Sequence, residues 1–338
     1  MKRLCISLFF LTVLGGMSFG QKKIKYPTKG KVERVDPALD KLIPKNARIE
    51  QLADGFIWSE GPVWIPKNGG YLLFSDIPNN RIVKWQEGKG VSDFMKPAGY
   101  TGKKRRGGEP GTNGLILDPQ GRLCMCEHGD RRVTRYVDGK KTVLADKYLG
   151  KRLNSPNDLV FRSNGDLYFT DPPYGLEKRW NDPARELDFC GVYHVTPKGK
   201  ITLLTKELSR PNGIALSPDE KTLYVANSDG RRAIWMSFPV KNNGLIGKGK
   251  VFASAQHLVG KRKGGCDGMA IDQHGNVFAT GPGGVLVFTP QGKLLGTINT
   301  GERTANCAFG GKDGSVLYMT ADDYLCRIQT STKGMYFK

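Results

Sequence analysis

The sequence predicts an all-β chain folded as a six-bladed β-propeller in one domain, and three observations carry that prediction. A polar residue, an apolar strand, a Gly-bearing turn and a second strand recur six times along the chain. The leading polar residues stand 53, 44, 55, 55 and 39 residues apart, a mean of about 49 that falls among propeller blades rather than helical solenoids. No stretch sustains the 3.6-residue apolar period of an amphipathic helix.

The recurrences are EGPVWIPKNGGYLLFSD from Glu60, NGLILDPQGRLCMCEHG from Asn113 and NDLVFRSNGDLYFTD from Asn157. They continue as NGIALSPDEKTLYVANSDG from Asn212, DGMAIDQHGNVFATG from Asp267 and NCAFGGKDGSVLYMT from Asn306. Each holds β-rich runs such as Leu167-Tyr168-Phe169 or Val316-Leu317-Tyr318, divided by Asn-Gly, Asp-Gly or Pro-Gln-Gly turns. Gly191 to Leu204 reads as the outer hairpin of the third unit. Six units use the chain from about residue 60 onward, so Ala47 to Ser59 is expected to add an outer strand that closes the last blade onto the first.

Ahead of the repeats, Lys2 and Arg3 precede the apolar stretch Leu4 to Leu14, and Ser18-Phe19-Gly20 offers small residues for cleavage. Residues 1–20 are expected to be a signal peptide, 21–46 a basic linker and 47–338 the propeller. The protein is then exported, to the periplasm or beyond the cell, with no transmembrane segment. Removal of the leader takes Cys5 and leaves Cys124, Cys126, Cys190, Cys266, Cys307 and Cys326, too sparse for a disulfide-built scaffold. Cys124 and Cys126 face the same side of one strand, which suits small core residues.

With 52 Lys and Arg against 32 Asp and Glu, the formal charge is +20. Nucleic acid is the usual partner of such a charge, but no nucleic-acid module is present. Association with acidic polysaccharide or an anionic envelope fits an exported chain better. The clusters Lys103 to Arg106 and Lys261 to Lys263 shortly precede Asn113 and Asp267, and are expected to overhang the same end of the propeller, favouring acidic substrates.

The innermost strand of every blade runs beside the axis, so Glu60, Asn113, Asn157, Asn212, Asp267 and Asn306 are expected to form a ring at one end of the channel. Turn chemistry explains the Asn-Gly and Asp-Gly pairs one at a time, but neither Glu60 nor Asn157, which precedes Asp158. Two carboxylates and four amides are what a hard divalent cation requires, calcium foremost, with magnesium, manganese or zinc as alternatives. The absence of His and Cys from the ring argues against a zinc or copper site of the usual kind.

The blocks SEGPVW, RLNSPNDLVF, SRPNGIALSPDE and CDGMAID, in this order over roughly Gly55 to Arg327, resemble the senescence marker protein (regucalcin)/gluconolactonase family, in particular its bacterial gluconolactonase-like branch. The resemblance implies a six-bladed propeller with one divalent ion held by Glu60, Asn157, Asn212 and Asp267, and a metal-dependent opening of sugar lactones. Asn113 and Asn306 would lie near the ion. The family includes phosphotriesterases and other lactonases, so the motif names no single substrate. Animal members carry a substrate-binding Arg two residues before the ligand at Asn157, where this chain has Ser155.

For a lactone, the base that takes the proton of the attacking water is expected to be Asp267, which serves equally well as a ligand only. His128 and Glu127, at the end of the second strand of their blade, are candidates to line the pocket mouth with Asn113 and bind substrate. A structural hydrogen bond accounts for His128 as well. His194, His257 and His274 are read as structural or solvated. The chain lacks the G-x-S-x-G elbow, the H-E-x-x-H helix, the phosphate-binding Gly-Lys loop and the dinucleotide fingerprint. The competing reading is a propeller with a structural axial ion that binds an acidic glycan without catalysis.

Overall fold

The computed structural model describes residues 24–104 and 106–336. The predicted leader and Arg105 lie outside the described residues. Six antiparallel sheets form the blades of a propeller. Their innermost strands are Ser59–Ile65, Thr112–Leu117, Leu159–Phe161, Pro211–Leu216, Met269–Ile271 and Thr304–Gly310. Each is followed outward by its sequence neighbours. Helical structure among the described residues is limited to four short 3-10 turns, and no helix there is long and apolar enough to cross a membrane.

Burial falls from axis to rim, and this explains the apolar pattern. The middle strands Leu167–Asp171 and Gly191–Val195 are buried at every residue because neighbouring blades cover both faces. The outer strand Gly90–Met95 is mostly exposed. Aromatic side chains fill the clefts between blades: Trp85 packs with Tyr318 between the first and last blades, and Trp235 with Phe288 between the fourth and fifth. Both tryptophans are fully buried, and each such burial stabilises by about 3 kcal/mol.

Closure occurs where it was expected. Ile49–Ala53 is the outermost strand of the sixth blade, pairing with Tyr324–Gln329 in a register that sets Ile49 opposite Ile328. Arg327 donates from Nε to Glu50 at 2.7 Å across this seam. Gly191–Val195 and Ile201–Thr205 form the outer hairpin of the third blade, as the sequence indicated.

Residues 24–46 are more than the linker read from their composition. Lys31–Arg34 adds a fifth strand to the fifth blade, beside Leu294–Asn299. The turn Pro37–Lys41, capped by Asp36 accepting from the Ala38 amide at 2.8 Å, then sends Leu39 and Ile43 into the core between the fifth and sixth blades. An edge strand is half exposed and tolerates charged residues on its open side, so its basic composition concealed it.

The six cysteines of the described chain are free and buried. Cys124 and Cys126 lie in one apolar cluster between the second and third blades, as their spacing suggested. The axial channel widens away from the ring into a cavity of about 890 Å³ lined by inner-strand residues such as Val63, Leu115, Ile271 and Phe309.

Candidate active site

The six ring residues occupy equivalent places at the start of the inner strands, and at Glu60, Asn113, Asn212 and Asn306 a local irregularity aims them. Pairing skips at Glu60/Val63, Thr112/Leu115, Pro211/Ile214 and Thr304/Asn306, bulges that redirect side chains at the rim of a sheet. The Asn-Gly and Asp-Gly pairs are therefore not turns. Their glycines let adjacent blades meet at the axis: a Cβ on Gly213 would run into the Asp267 carbonyl, and one on Gly268 into the Asn306 side chain. Gly268→Ala should consequently lower unfolding stability by about 2–4 kcal/mol. Denaturant melts would show this, and an unchanged midpoint would contradict the close packing.

Hydroxyls on the second strands tie down the backbone beneath. Ser75 Oγ donates to the Asn113 carbonyl and Thr170 Oγ1 to that of Asn212, both at 2.7 Å; Thr320 Oγ1 reaches that of Asn306 at 3.2 Å. Main-chain oxygens are thereby spent, whereas three side-chain oxygens are not. Asn113 Oδ1, Asn157 Oδ1 and Asp267 Oδ1 are buried with no hydrogen-bond partner. Asn212 is oriented through Nδ2, which donates to Ser228 Oγ at 2.9 Å, and Glu60 Oε2 accepts from the Gly61 amide at 2.9 Å. Asn306 Oδ1 accepts from the Cys307 amide, and its side-chain amide lowers the proton affinities of Glu60 and Asp158.

The electrostatics of the ring are those of several carboxyls crowded together and buried. Burial, with the charges of Asp158 and Glu109 adding to it, lifts Glu60 to about 8. Burial lifts Asp158 to about 7, against hydrogen bonds from the Leu159 and Ile214 amides. Asp267 is pushed well above the usual carboxylate range by burial, then by Glu60, Asp158 and Glu109. A cation among these oxygens relieves both the repulsion and the missing partners. Among the described residues, no three carboxylate, imidazole or thiol side chains are placed to hold a metal, so the donor set depends on its amides. Buried, unpartnered amide and carboxylate oxygens suit a hard cation of the calcium class.

Two loops cover this end, 96–111 and 172–190. Arg106 donates to the Gly175 carbonyl, Gly107 N to Glu177 Oε1 at 3.3 Å, and Arg179 to Glu109 Oε1 at 3.2 Å. Ser155 anchors the second loop, donating to the Pro172 carbonyl at 2.6 Å and accepting from the Gly175 amide at 2.9 Å. Tyr174, Trp180 and Arg210 make an aromatic and cationic wall, Tyr174 edge-on to Trp180 and Arg210 over the Trp180 face. Burial and the Asp267 charge push the Tyr174 hydroxyl far up, so it remains protonated.

The structure does not bring every candidate together. Glu127 has no oxygen left for a substrate: Arg132, Thr134 and Lys141 take them at 2.5, 2.8 and 2.7 Å. Asp76, Asp171 and Asn227 at the equivalent places likewise brace loops, accepting from the amides of Ile57, Asn154 and Arg210. His128 is fully buried under Gly175, its Nδ1 3.6 Å from Glu109 Oε2 and neither ring nitrogen hydrogen-bonded. Burial and the Arg106 charge lower it to about 3, which keeps it neutral. Of the basic clusters, Lys103 and Lys104 are exposed while Arg106 turns inward. Arg262 and Lys263 pair with Glu33 and Glu302. His194 is buried beside Asp166.

The sequence reading missed Glu109, Asp158 and Tyr174. Asp158 follows a ring residue directly and Glu109 precedes one by four, and those adjacencies were the available signal.

A family model described as the SMP-30/gluconolactonase/LRE-like region matches residues 58–323. The chain belongs to this family. It is 40% identical over 332 residues to the gluconolactonase of Zymomonas mobilis, covering 96% of this chain and 92% of that protein. It also resembles the solved gluconolactonase of Xanthomonas campestris, at 31% identity and a TM-score of 0.78, over 92% of this chain and 99% of that one. A regucalcin from Agrobacterium tumefaciens, a calcium-binding protein, shares the fold at 22% identity and a TM-score of 0.65, over 84% of this chain and 94% of that one.

Proposed function

We propose that this chain is a lactone hydrolase of the gluconolactonase kind, dependent on a divalent cation held by Glu60, Asn157, Asn212 and Asp267. The observation that carries the reading is the set of buried, unpartnered oxygens of Asn113, Asn157 and Asp267 facing a family whose relatives include a gluconolactonase. Calcium is the first candidate by the donor chemistry, and a calcium-binding regucalcin shares the fold. When bound, the cation supplies an electrophile for the lactone carbonyl and the oxyanion that develops on it.

The residues of the chain do the rest. Asp267 Oδ1 has no protein donor to compete with a water molecule, so it orients that water and takes its proton during attack. Asn113 Oδ1 is free to accept from a substrate hydroxyl. Tyr174 and Trp180 exclude bulk water and offer faces against which a sugar ring packs. The Arg carried by animal members finds no counterpart in Ser155, which is consumed in anchoring the 172–190 loop, and substrate orientation falls to that loop and to 96–111. The leader reading places the activity outside the cytoplasm.

The test is acid release from D-glucono-δ-lactone above the spontaneous rate by the chain from Gln21, with calcium, magnesium, manganese or zinc and then with chelator. Turnover that drops at least 100-fold in chelator supports the reading. A protein that the ion stabilises but that never exceeds the spontaneous rate overturns it in favour of glycan binding.

A further inference from the structure

Opening an aliphatic lactone expels an alkoxide, which needs a proton as the acyl C–O bond breaks. Glu60 and Asp267 would hold the ion and Asp158 is buried beside them, so the donor has to come from the covering loops. His128 cannot supply it: both nitrogens are buried, and at about 3 it carries no spare proton at neutral pH. Tyr174 holds its proton too tightly.

Glu109 differs from both. Its side chain is 20% exposed, so it keeps an edge open to solvent at the covered end of the axis while its charge is felt at Glu60, Asp267 and Tyr174. Its place is rigid. The next two residues are fixed to neighbouring loops, the Pro110 carbonyl accepting from Gly129 N at 3.1 Å and Gly111 N donating to the Ile77 carbonyl at 3.0 Å. Arg179 holds Oε1 at 3.2 Å, and Oε2 is directed toward the uncharged His128.

Resting on the lactonase reading, we infer that Glu109 is the general acid that protonates the lactone ring oxygen as it leaves. Water attacks the acyl carbon and its proton passes to Asp267. The bond from acyl carbon to ring oxygen breaks, its electron pair goes to that oxygen, and the Glu109 proton completes the hydroxyl of the open hydroxy acid. Glu109 regains a proton from solvent through its exposed edge, and Asp267 returns its own to water. Burial, opposed by Arg179, sets Glu109 at about 7, where both forms are populated during turnover. The charged and titratable groups that interact with it are Arg179, His128, Tyr174, and the carboxylates of Glu60 and Asp267.

Leaving-group dependence tests the assignment. Glu109→Gln should lose about 100-fold or more in kcat on D-glucono-δ-lactone, whose leaving group is an alcohol. On dihydrocoumarin, whose phenoxide leaves unaided, it should lose less than about 5-fold, with KM little changed. A residue that merely braced the loops would lower both rates alike, so equal losses, or none on gluconolactone, overturn the inference. Arg179→Met provides a second readout that leaves the carboxyl in place. Removing that cation should move the basic limb of the kcat–pH profile upward, and an unmoved limb overturns the inference too. Wild-type protein inert on both lactones fails the lactonase reading itself, an outcome distinct from active wild type with equal losses.

Discussion

In chelator, the melting temperature of the protein should fall by about 10 °C between pH 5 and pH 8, and millimolar calcium should abolish most of that fall. The cause is the group of carboxyls gathered at one end of the axis. Burial raises Glu60 to about 8 and Asp158 to about 7, and Asp267 well above its ordinary value. A carboxyl with a raised folded-state value holds its proton longer in the native protein than in the unfolded chain. Its stabilisation is complete below the unfolded value near 4 and is lost as pH climbs through the folded values toward 8. A carboxyl raised by one pH unit contributes about 1.4 kcal/mol, so three such groups outweigh most surface electrostatics. A cation reverses the sign by making the ionised forms the favoured ones. Calorimetry across this pH range, with and without the ion, measures both effects. A flat profile in chelator, or one that calcium leaves alone at pH 8, would remove the axial site from the account.

Asp267→Asn should lower kcat for gluconolactone by about 100- to 10,000-fold while making the metal-free protein more stable at pH 8. The two halves have one origin. Asp267 Oδ1 is buried without a donor, and Glu60 and Asp158 press their charges on it. That arrangement is costly to the empty fold and useful to a base that must take a proton from water. An amide of the same shape removes the charge and the basicity together. Denaturant midpoints at pH 8 in chelator report the first effect, single-turnover rates the second, and titration calorimetry shows whether the ion still binds. Full activity in a variant that keeps its ion would reduce Asp267 to a ligand and move the base elsewhere.

Much of this was legible in the residues because a propeller writes its architecture as a repeat. Glu60, Asn157, Asn212 and Asp267 could be placed around one axis without coordinates, since equal positions in equal units must be related by the rotation between blades. Even the closing strand at Ile49–Ala53 followed from counting what the six units left over. The covering loops followed no such rule. Arg106, Glu109, Tyr174 and Arg179 belong to the aperiodic stretches 96–111 and 172–190, and they meet across blades, at separations such as the 70 residues between Glu109 and Arg179. Nothing local marks a side chain whose partner is that far away. The reading of Glu127 failed for a related reason. Its place at the pocket end of a strand was right, but a Lys and an Arg on neighbouring strands of its own blade claim the carboxylate first.

The seam between the first and last strands also governs how the molecule comes into being. Glu50 and Arg327 are partners 277 residues apart, so the circle cannot shut until nearly the whole chain has been made. Joining ends that distant costs about 5 kcal/mol in loop-closure entropy, and pairings of such long range slow folding. Five blades can assemble as the chain emerges, while the last strand waits for one laid down near the start. Hydrolytic competence therefore arrives late and all at once, because the six axial side chains surround nothing until the circle is complete. Removing Tyr324–Gln329 would leave an open, sticky sheet edge rather than a smaller enzyme.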